Sequence, residues 1–460
     1  MNKKNDSTFQ PTRRELLRRM AAGGLGAASL GSAWGSLLLG ASQVRAQTAG
    51  DYRALVVVYL AGGNDSFNLI VPRDNAGYGE YRNARQNLAV SQAQLLSIDP
   101  VGGDGRQFGL HPSVAGLRNL FNGGRLAFVT NMGTLVRPVS RDAYKAKTVK
   151  LPPQLFSHND QEAQWLRVKV DGAGGIGWGG ALADRVAAYN PAGQPGSISL
   201  SGSNLWQVGV QTQPYHMGTS GPVALTGFWG TLGRNRQDVF NALLDQPHEN
   251  AFVRQYADAQ RDAIRLNTTI SEALAGAPAL QTAFPANNAL ASQLQMVARM
   301  VGLGPSLGTQ RQIFFCRQGG YDTHADQLDN HPVLLGQLSA ALTAFQSALD
   351  ELGMGAQVTT ATLSEFGRTL SSNGKGTDHG WGGNQIVMGG AVQGKRLYGT
   401  WPSLAIDGPD DTGKGRLIPT TAVDQFAATL ARWMGVADAD LPTLLPNLPN
   451  FATWDLGFMG

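Results

Sequence analysis

The sequence predicts an α/β fold of three layers, with helices on both faces of a mostly parallel central sheet and with insertions. Three observations carry this. First, Leu55–Leu60, Gln312–Cys316 and Val358–Leu363 are short runs rich in apolar and β-branched residues, followed by glycine or polar loops. Runs of this length without polar alternation read as strands buried on both faces. Second, an amphipathic stretch, Pro332–Gly353, separates the second run from the third, giving strand–helix–strand order. Third, each run gives way within a few positions to an acidic residue: Asp65, then Asp322 with His324, then Glu365. Ligands of open α/β sheets bind beyond the carboxyl ends of the strands, so these side chains are expected on one rim. A fourth loop, Thr377–Gly382, adds Asp378 and His379.

Taken in order, the chain opens with Thr12-Arg13-Arg14-Glu15-Leu16-Leu17-Arg18, a Gly/Ala-rich apolar stretch from Met20 to about Gly40, and Val44-Arg45-Ala46. Charge, apolar segment and small residues follow the order of a twin-arginine export signal, expected over residues 1–46. The alternative is a retained anchor, since the segment is long enough to span a bilayer. The expectations are a periplasmic or secreted protein, the twin-arginine translocase as a partner, and no stable membrane anchor. This segment also accounts for the formal charge of +4. Setting aside its seven basic and two acidic residues leaves 30 basic against 31 acidic. A near-neutral remainder has no electrostatic footprint for nucleic acid.

Residues 72–109 read as a polar connection, His111–Asn122 as a helix stopped by Gly123-Gly124, and Arg125–Thr130 as a further buried strand. Residues 152–180 read as irregular and hold Ser157-His158-Asn159-Asp160. A Gly/Ser/Thr/Gln-rich stretch at 193–230 reads as an insertion or cap, and 235–274, 288–300 and 422–434 as helical. No linker separates two domains, so 47–460 is expected as one. The single cysteine, Cys316, lies in a strand, where a buried apolar role is expected, and it excludes an internal disulfide and a cysteine-based zinc site.

Carboxylates and imidazoles together ligate zinc, manganese and iron, whereas magnesium and calcium take mainly oxygens. Asp322 and His324, two apart, share one side of an extended backbone. Asp65, Asp322, His324, Glu365, Asp378 and His379 are therefore the candidate ligands for one or more divalent ions, zinc among them. Taken singly, Asp65 reads equally well as a turn or capping residue, and Glu365 as a partner of Arg368. His158 is either a site residue or a loop histidine. Gly389–Lys395 has phosphate-loop spacing, but Arg396 stands where Ser or Thr would hold magnesium. No Gly-x-Gly-x-x-Gly follows the first strand, and no Gly-x-Ser-x-Gly elbow occurs.

Ala61–Asn68, Gly320–His324, Leu363–Thr369, Thr377–Gly380 and Thr421–Ala431 resemble the motifs of the exported DUF1501 family, across nearly all of the chain beyond the signal. The resemblance implies a distant branch of the alkaline phosphatase and sulfatase superfamily, with an alkaline phosphatase-like fold. It implies metals at strand ends and attack on a phosphate or sulfate ester by a Ser, Thr or formylglycine nucleophile. Asp65 then matches the first-strand metal aspartate, Asp322 and His324 the later aspartate and histidine, and Asp378-His379 the Asp-His pair. The chain departs from that pattern in having no histidine after His379 and no sulfatase nucleophile signature. Ser66 and Ser157 are the nucleophile candidates, with Arg368 or the amides near Gly62-Gly63 to steady negative charge. The leading expectation is a periplasmic metal-dependent hydrolase of phosphate or sulfate esters acting on a small molecule or glycan. The alternatives are a non-catalytic exported binding protein on the same fold, for an envelope glycan or other ligand, and a metal-free hydrolase using Ser157 and His158.

Overall fold

The apolar run around Val56 forms strand β1 (Arg53–Leu60), buried from Ala54 to its end. Its side chains alternate between two cores. Ala54, Val56, Val58 and Leu60 enter one, while Leu55, Val57 and Tyr59 enter the other. A strand apolar on both faces needs a helical layer on each, and the computed structural model has both. It describes residues 51–460 apart from 103–104, 168–174, 224–225 and 228–229; the expected signal at 1–46 lies outside the described residues.

The later strands are β2 (Ile70–Pro72), β3 (Leu96–Ile98), β4 (Phe108–Leu110), β5 (Leu126–Gly133), β6 (Ser197–Ser199), β7 (Tyr215–Gly218), β8 (Gly221–Pro222), β9 (Arg311–Gln318), β10 (Val358–Leu363), β11 (Arg368–Ser372), β12 (Thr377–His379), β13 (Gly383–Gly389), β14 (Leu397–Tyr398) and β15 (Thr421–Ala422). The large sheet runs β14-β5-β13-β10-β1-β9-β6-β7-β8, with β15 also on β5. The centre, β10-β1-β9-β6-β7, is parallel. Only β13, between β10 and β5, and the edge strand β8 pair antiparallel to their neighbours. The sheet is therefore mixed and mostly parallel.

The helices of eight or more residues are α1 (Asn75–Arg85), α2 (Ala115–Asn122), α3 (His158–Arg167), α4 (Trp178–Val186), α5 (Gly230–Leu244), α6 (Ala251–Gly276), α7 (Ala289–Leu303), α8 (Gln327–Glu351) and α9 (Val423–Met434). One core takes Leu117, Leu294 and Leu342 from α2, α7 and α8. The other takes Trp165, Leu182 and Phe426 from α3, α4 and α9. Cys316 is fully buried in the first, and burial pushes its thiol up, as befits a small apolar residue.

Several segments differ from the sequence reading. Residues 152–180 contain α3 and the first turn of α4, because burial of Trp165, Leu166 and Trp178 outweighs a weak helical pattern. The stretch expected as a cap at 193–230 supplies β6, β7 and β8 to the sheet edge, held by backbone pairing. The polar connection at 72–109 holds α1 and β3, and its two ends run into β2 and β4, which complete the small sheet β2-β4-β3. Helix α8 starts five residues before Pro332 and carries it inside; packing of Leu335, Leu338 and Leu342 offsets the roughly 3 kcal/mol a proline costs there.

Candidate metal centre

Because β10, β1 and β9 are adjacent and parallel, their carboxyl ends open on one edge of the sheet. The loop after β1 then presses onto the loop after β9. Gly62 has φ +117°, and a Cβ there would lie 2.3 Å from the Asp322 backbone nitrogen. Only glycine permits both the conformation and the approach. The hairpin β11–β12, in which Arg368 pairs with His379, brings Asp378 and His379 to the same edge. Helix α3 contributes His158, its first residue.

Three imidazoles meet the Asp322 carboxylate there. His324 Nε2 lies 3.1 Å and His379 Nε2 3.4 Å from Asp322 Oδ1, and the two Nε2 atoms are 2.9 Å apart. His158 Nε2 is 3.5 Å from Asp322 Oδ2. The other nitrogen of each ring faces an acceptor. His158 Nδ1 is 3.0 Å from Glu365 Oε1, His324 Nδ1 3.2 Å from Asp378 Oδ1, and His379 Nδ1 2.7 Å from the Phe156 carbonyl. In a neutral ring, these partners place the proton on Nδ1. All three Nε2 atoms then present lone pairs toward an anionic carboxylate. Arg368 donates to Asp322 Oδ1, and the ring nitrogens around that carboxylate could hold a metal ion. Donors around a tetrahedral ion at metal–nitrogen distances of 2.0–2.1 Å sit about 3.3 Å apart, within the range found here. Among the described residues, His158, Asp322 and His379 offer ligand atoms that all lie within 4.8 Å of one another; His324 lies beside that set, against Asp322 and His379. The orienting acceptor behind each ring is the usual partner of a metal-binding histidine.

Charge states agree with this arrangement. Burial acts upward on Asp322, but the bond and charge of the Arg368 guanidinium hold its carboxyl below the usual range. For Asp378 the bonds from Asn373 and His324 and the charge of Lys414 likewise outweigh burial. Burial pushes His379 down, against the raising effect of the Phe156 carbonyl, and favours the neutral ring. Anionic aspartates and neutral imidazoles are the forms that bind a metal.

The remaining expected residues lie behind or beside this cluster. Glu365 is nearly fully buried; it accepts from Tyr59 and from the Gly62 amide besides facing His158, so it orients a ring. Arg368 is equally buried and donates to Asp322 Oδ1 (2.7 Å) and the Gly62 carbonyl (2.9 Å), so its guanidinium is committed within the protein. Asp65 is apart from the imidazoles: its carboxylate is fully buried and ion-paired with Arg85. Ser66 Oγ accepts from the Asn384 amide, 2.6 Å away. Ser157 Oγ donates to Asp160 (2.7 Å) at the start of α3, in place of any bond to His158.

Sequence reasoning missed the parts that hold the rings. Phe366 stacks on His379 (centroids 4.6 Å apart) and lies 4.9 Å from the His158 ring. Phe156 takes φ 76°, a strained value for an aromatic residue, which presents its carbonyl to His379. Arg416 lies over the Phe156 ring at 4.2 Å and donates to the His379 carbonyl, fixing that strained turn. Phe366 sits inside a motif the sequence exposes; for Phe156 and Arg416 no sequence signal points to the site.

A search of curated proteins finds no match. Among solved structures, the lipoteichoic acid synthase LtaP from Listeria monocytogenes aligns with 85% of this chain and 74% of its own at 7% identity and TM-score 0.32. The PsFucS1 sulfatase from Pseudoalteromonas sp. aligns over 90% and 73% at 11% identity and TM-score 0.33, and a 2-O GAG sulfatase over 86% and 74% at 9% and 0.29. These scores are low, and nothing about the chemistry of this chain follows from them. The family comparison is extensive: residues 52–443, from β1 past α9 and including every residue of the cluster, match the family described as "Protein of unknown function (DUF1501)". The chain belongs to the DUF1501 family.

Proposed function

We propose that this chain is an exported, metal-dependent hydrolase of phosphate or sulfate esters, acting in the periplasm on a small molecule or glycan. The observation that carries the reading is the meeting of three imidazole Nε2 lone pairs and the Asp322 carboxylate, with every Nδ1 tied behind them. His158, His324, His379 and Asp322 would hold the ion, and their mixed nitrogen and oxygen donors suit zinc, manganese or iron. When bound, such an ion polarises an ester oxygen and makes water a competent nucleophile at neutral pH. Glu365, Asp378 and the Phe156 carbonyl orient the rings, and Phe366 packs against two of them. The Asp322 and His324 side chains remain 45% and 43% exposed, which leaves the centre open to a substrate. Since Ser66 and Ser157 are both engaged elsewhere, the reading takes water as the nucleophile. The Arg13-Arg14 segment supports export.

Hydrolysis of p-nitrophenyl phosphate and p-nitrophenyl sulfate by the mature protein tests this. Turnover that stops with EDTA, returns with zinc or manganese, and is absent in His379→Ala is the expected result. Turnover indifferent to EDTA and to His379→Ala would overturn it. The engagement of both serine hydroxyls also favours a second reading, an exported binding protein that holds a metal without turnover; it predicts stoichiometric metal with neither ester cleaved.

A further inference from the structure

We propose that Gln327 and Thr377 are positioning residues that tie the Asp322 carboxylate to the buried Arg85–Asp65 pair and so set the affinity of the metal centre; this rests on the metal-binding reading above. The link is a continuous run of hydrogen bonds. Arg368 Nη1 donates to Asp322 Oδ1 (2.7 Å), and Arg368 Nε donates to Thr377 Oγ1 (3.2 Å). Thr377 Oγ1 donates to Gln327 Oε1 (2.7 Å), and Gln327 Nε2 donates to Asp65 Oδ2, the oxygen that also receives Arg85. From Arg368 inward, every donor points toward Asp65. Asp65 Oδ1 has no hydrogen-bond partner among the described residues, so the carboxylate is anchored through Oδ2 alone.

The chain joins elements far apart in sequence: Arg85 at the end of α1, Gln327 at the start of α8 and Thr377 in β12. Arg85, Asp65, Gln327, Arg368 and Thr377 are all nearly or fully buried, whereas Asp322 is half exposed. A half-exposed carboxylate has no packing to fix its rotamer; the Arg368 guanidinium does so instead. That guanidinium is held in turn by the Gly62 and Thr377 carbonyls and by Thr377 Oγ1. Without the threonine hydroxyl, Arg368 Nε loses its partner; without Gln327, the hydroxyl loses the acceptor that aims its lone pairs at Arg368, and in either case Asp322 loses its register with the three imidazoles. Neither Gln327 nor Thr377 is among the side chains that converge on the centre, so both act through Arg368.

The test is Co2+ titration of the mature, metal-stripped protein, followed by the visible absorption bands of the bound ion. Gln327→Leu and Thr377→Val remove the relay, while Thr377→Ser keeps its hydroxyl. In arginine-labelled protein, the Arg368 Nε–H resonance and its exchange protection report the relay without any metal. The expected result is Co2+ binding weakened on the order of tenfold in Gln327→Leu and Thr377→Val. Loss of Arg368 Nε–H protection should accompany it, with both properties restored in Thr377→Ser. Tight wild-type binding that is unchanged in Gln327→Leu and Thr377→Val would overturn the relay and leave the metal centre standing. Wild-type protein that takes up no Co2+ would overturn the metal-binding reading and the relay's role with it. If Thr377→Val fails to fold, Gln327→Leu and Thr377→Ser decide the matter.

Discussion

Two groups of acids and bases lie at the carboxyl ends of the same parallel strands, and they have opposite electrostatic characters. On the rim, the Nε2 atoms of His158, His324 and His379 face Asp322, whose Oδ1 also receives Arg368. Beneath it, Asp65 is paired with Arg85, and His331 Nε2 meets the Asn64 amide oxygen at 3.1 Å. The buried carboxylate is matched by its own cation, Arg85, whereas on the rim the single guanidinium of Arg368 stands against Asp322 and three ring nitrogens. Residue type alone therefore says little about which acid could take a metal; both aspartates meet an arginine, but Asp65 is fully buried while Asp322 is half exposed among three imidazoles. Arg85 ties Asp65 into the fold, and the acceptors behind the three rings turn their Nε2 atoms toward Asp322.

Breaking the buried pair should have the larger effect on folding. Asp65→Ala leaves the Arg85 charge buried without its partner, with an expected loss of about 3–5 kcal/mol in denaturant-monitored stability. Asp65→Ala combined with Arg85→Met should recover much of that. A double variant no more stable than Asp65→Ala would contradict the assignment of the pair.

Acid should separate the two regions. Burial lowers His331 and His111 to about 4, against roughly 6.5 in an unfolded chain. Their folded forms resist protonation, so their contribution is complete above about pH 6.5 and lost as pH falls toward 4, by at most roughly 1.4 kcal/mol per unit for each ring. On the rim, protonation competes with metal instead. Metal release should therefore be measurable while the protein is still folded. Thermal melts and metal content followed across the same pH series check this; simultaneous loss of fold and metal would count against it.

The smallest expected effect concerns Ser157. Ser157→Ala removes only the bond to Asp160 at the start of α3, for about 1 kcal/mol of stability. Metal content and turnover should not change. A collapse of turnover in a folded Ser157→Ala protein would return Ser157 to the chemistry.

The sheet centre was legible because β1, β9 and β10 are fully covered parallel strands, whose apolar runs cannot be mistaken for a surface. The rim residues were legible for a related reason: strand ends fix where Asp322, His324 and Glu365 emerge. What distinguishes Asp65 from Asp322 was not legible, because Arg85 reaches Asp65 from a helix twenty residues on that reads as a polar connection. Nor were α3 and α4, whose helicity rests on buried tryptophans rather than on periodicity. The Phe156 carbonyl depends on a backbone angle that no residue pattern encodes.

The central claim is that the rim holds an ion, and elemental analysis tests it most directly. Mature protein from a native-like host, purified without chelators, is compared with His379→Ala and Asp65→Asn. The account predicts stoichiometric zinc, manganese or iron in the wild type, retained in folded Asp65→Asn and lost in His379→Ala. Wild-type protein that carries no metal and takes none up on titration would contradict it.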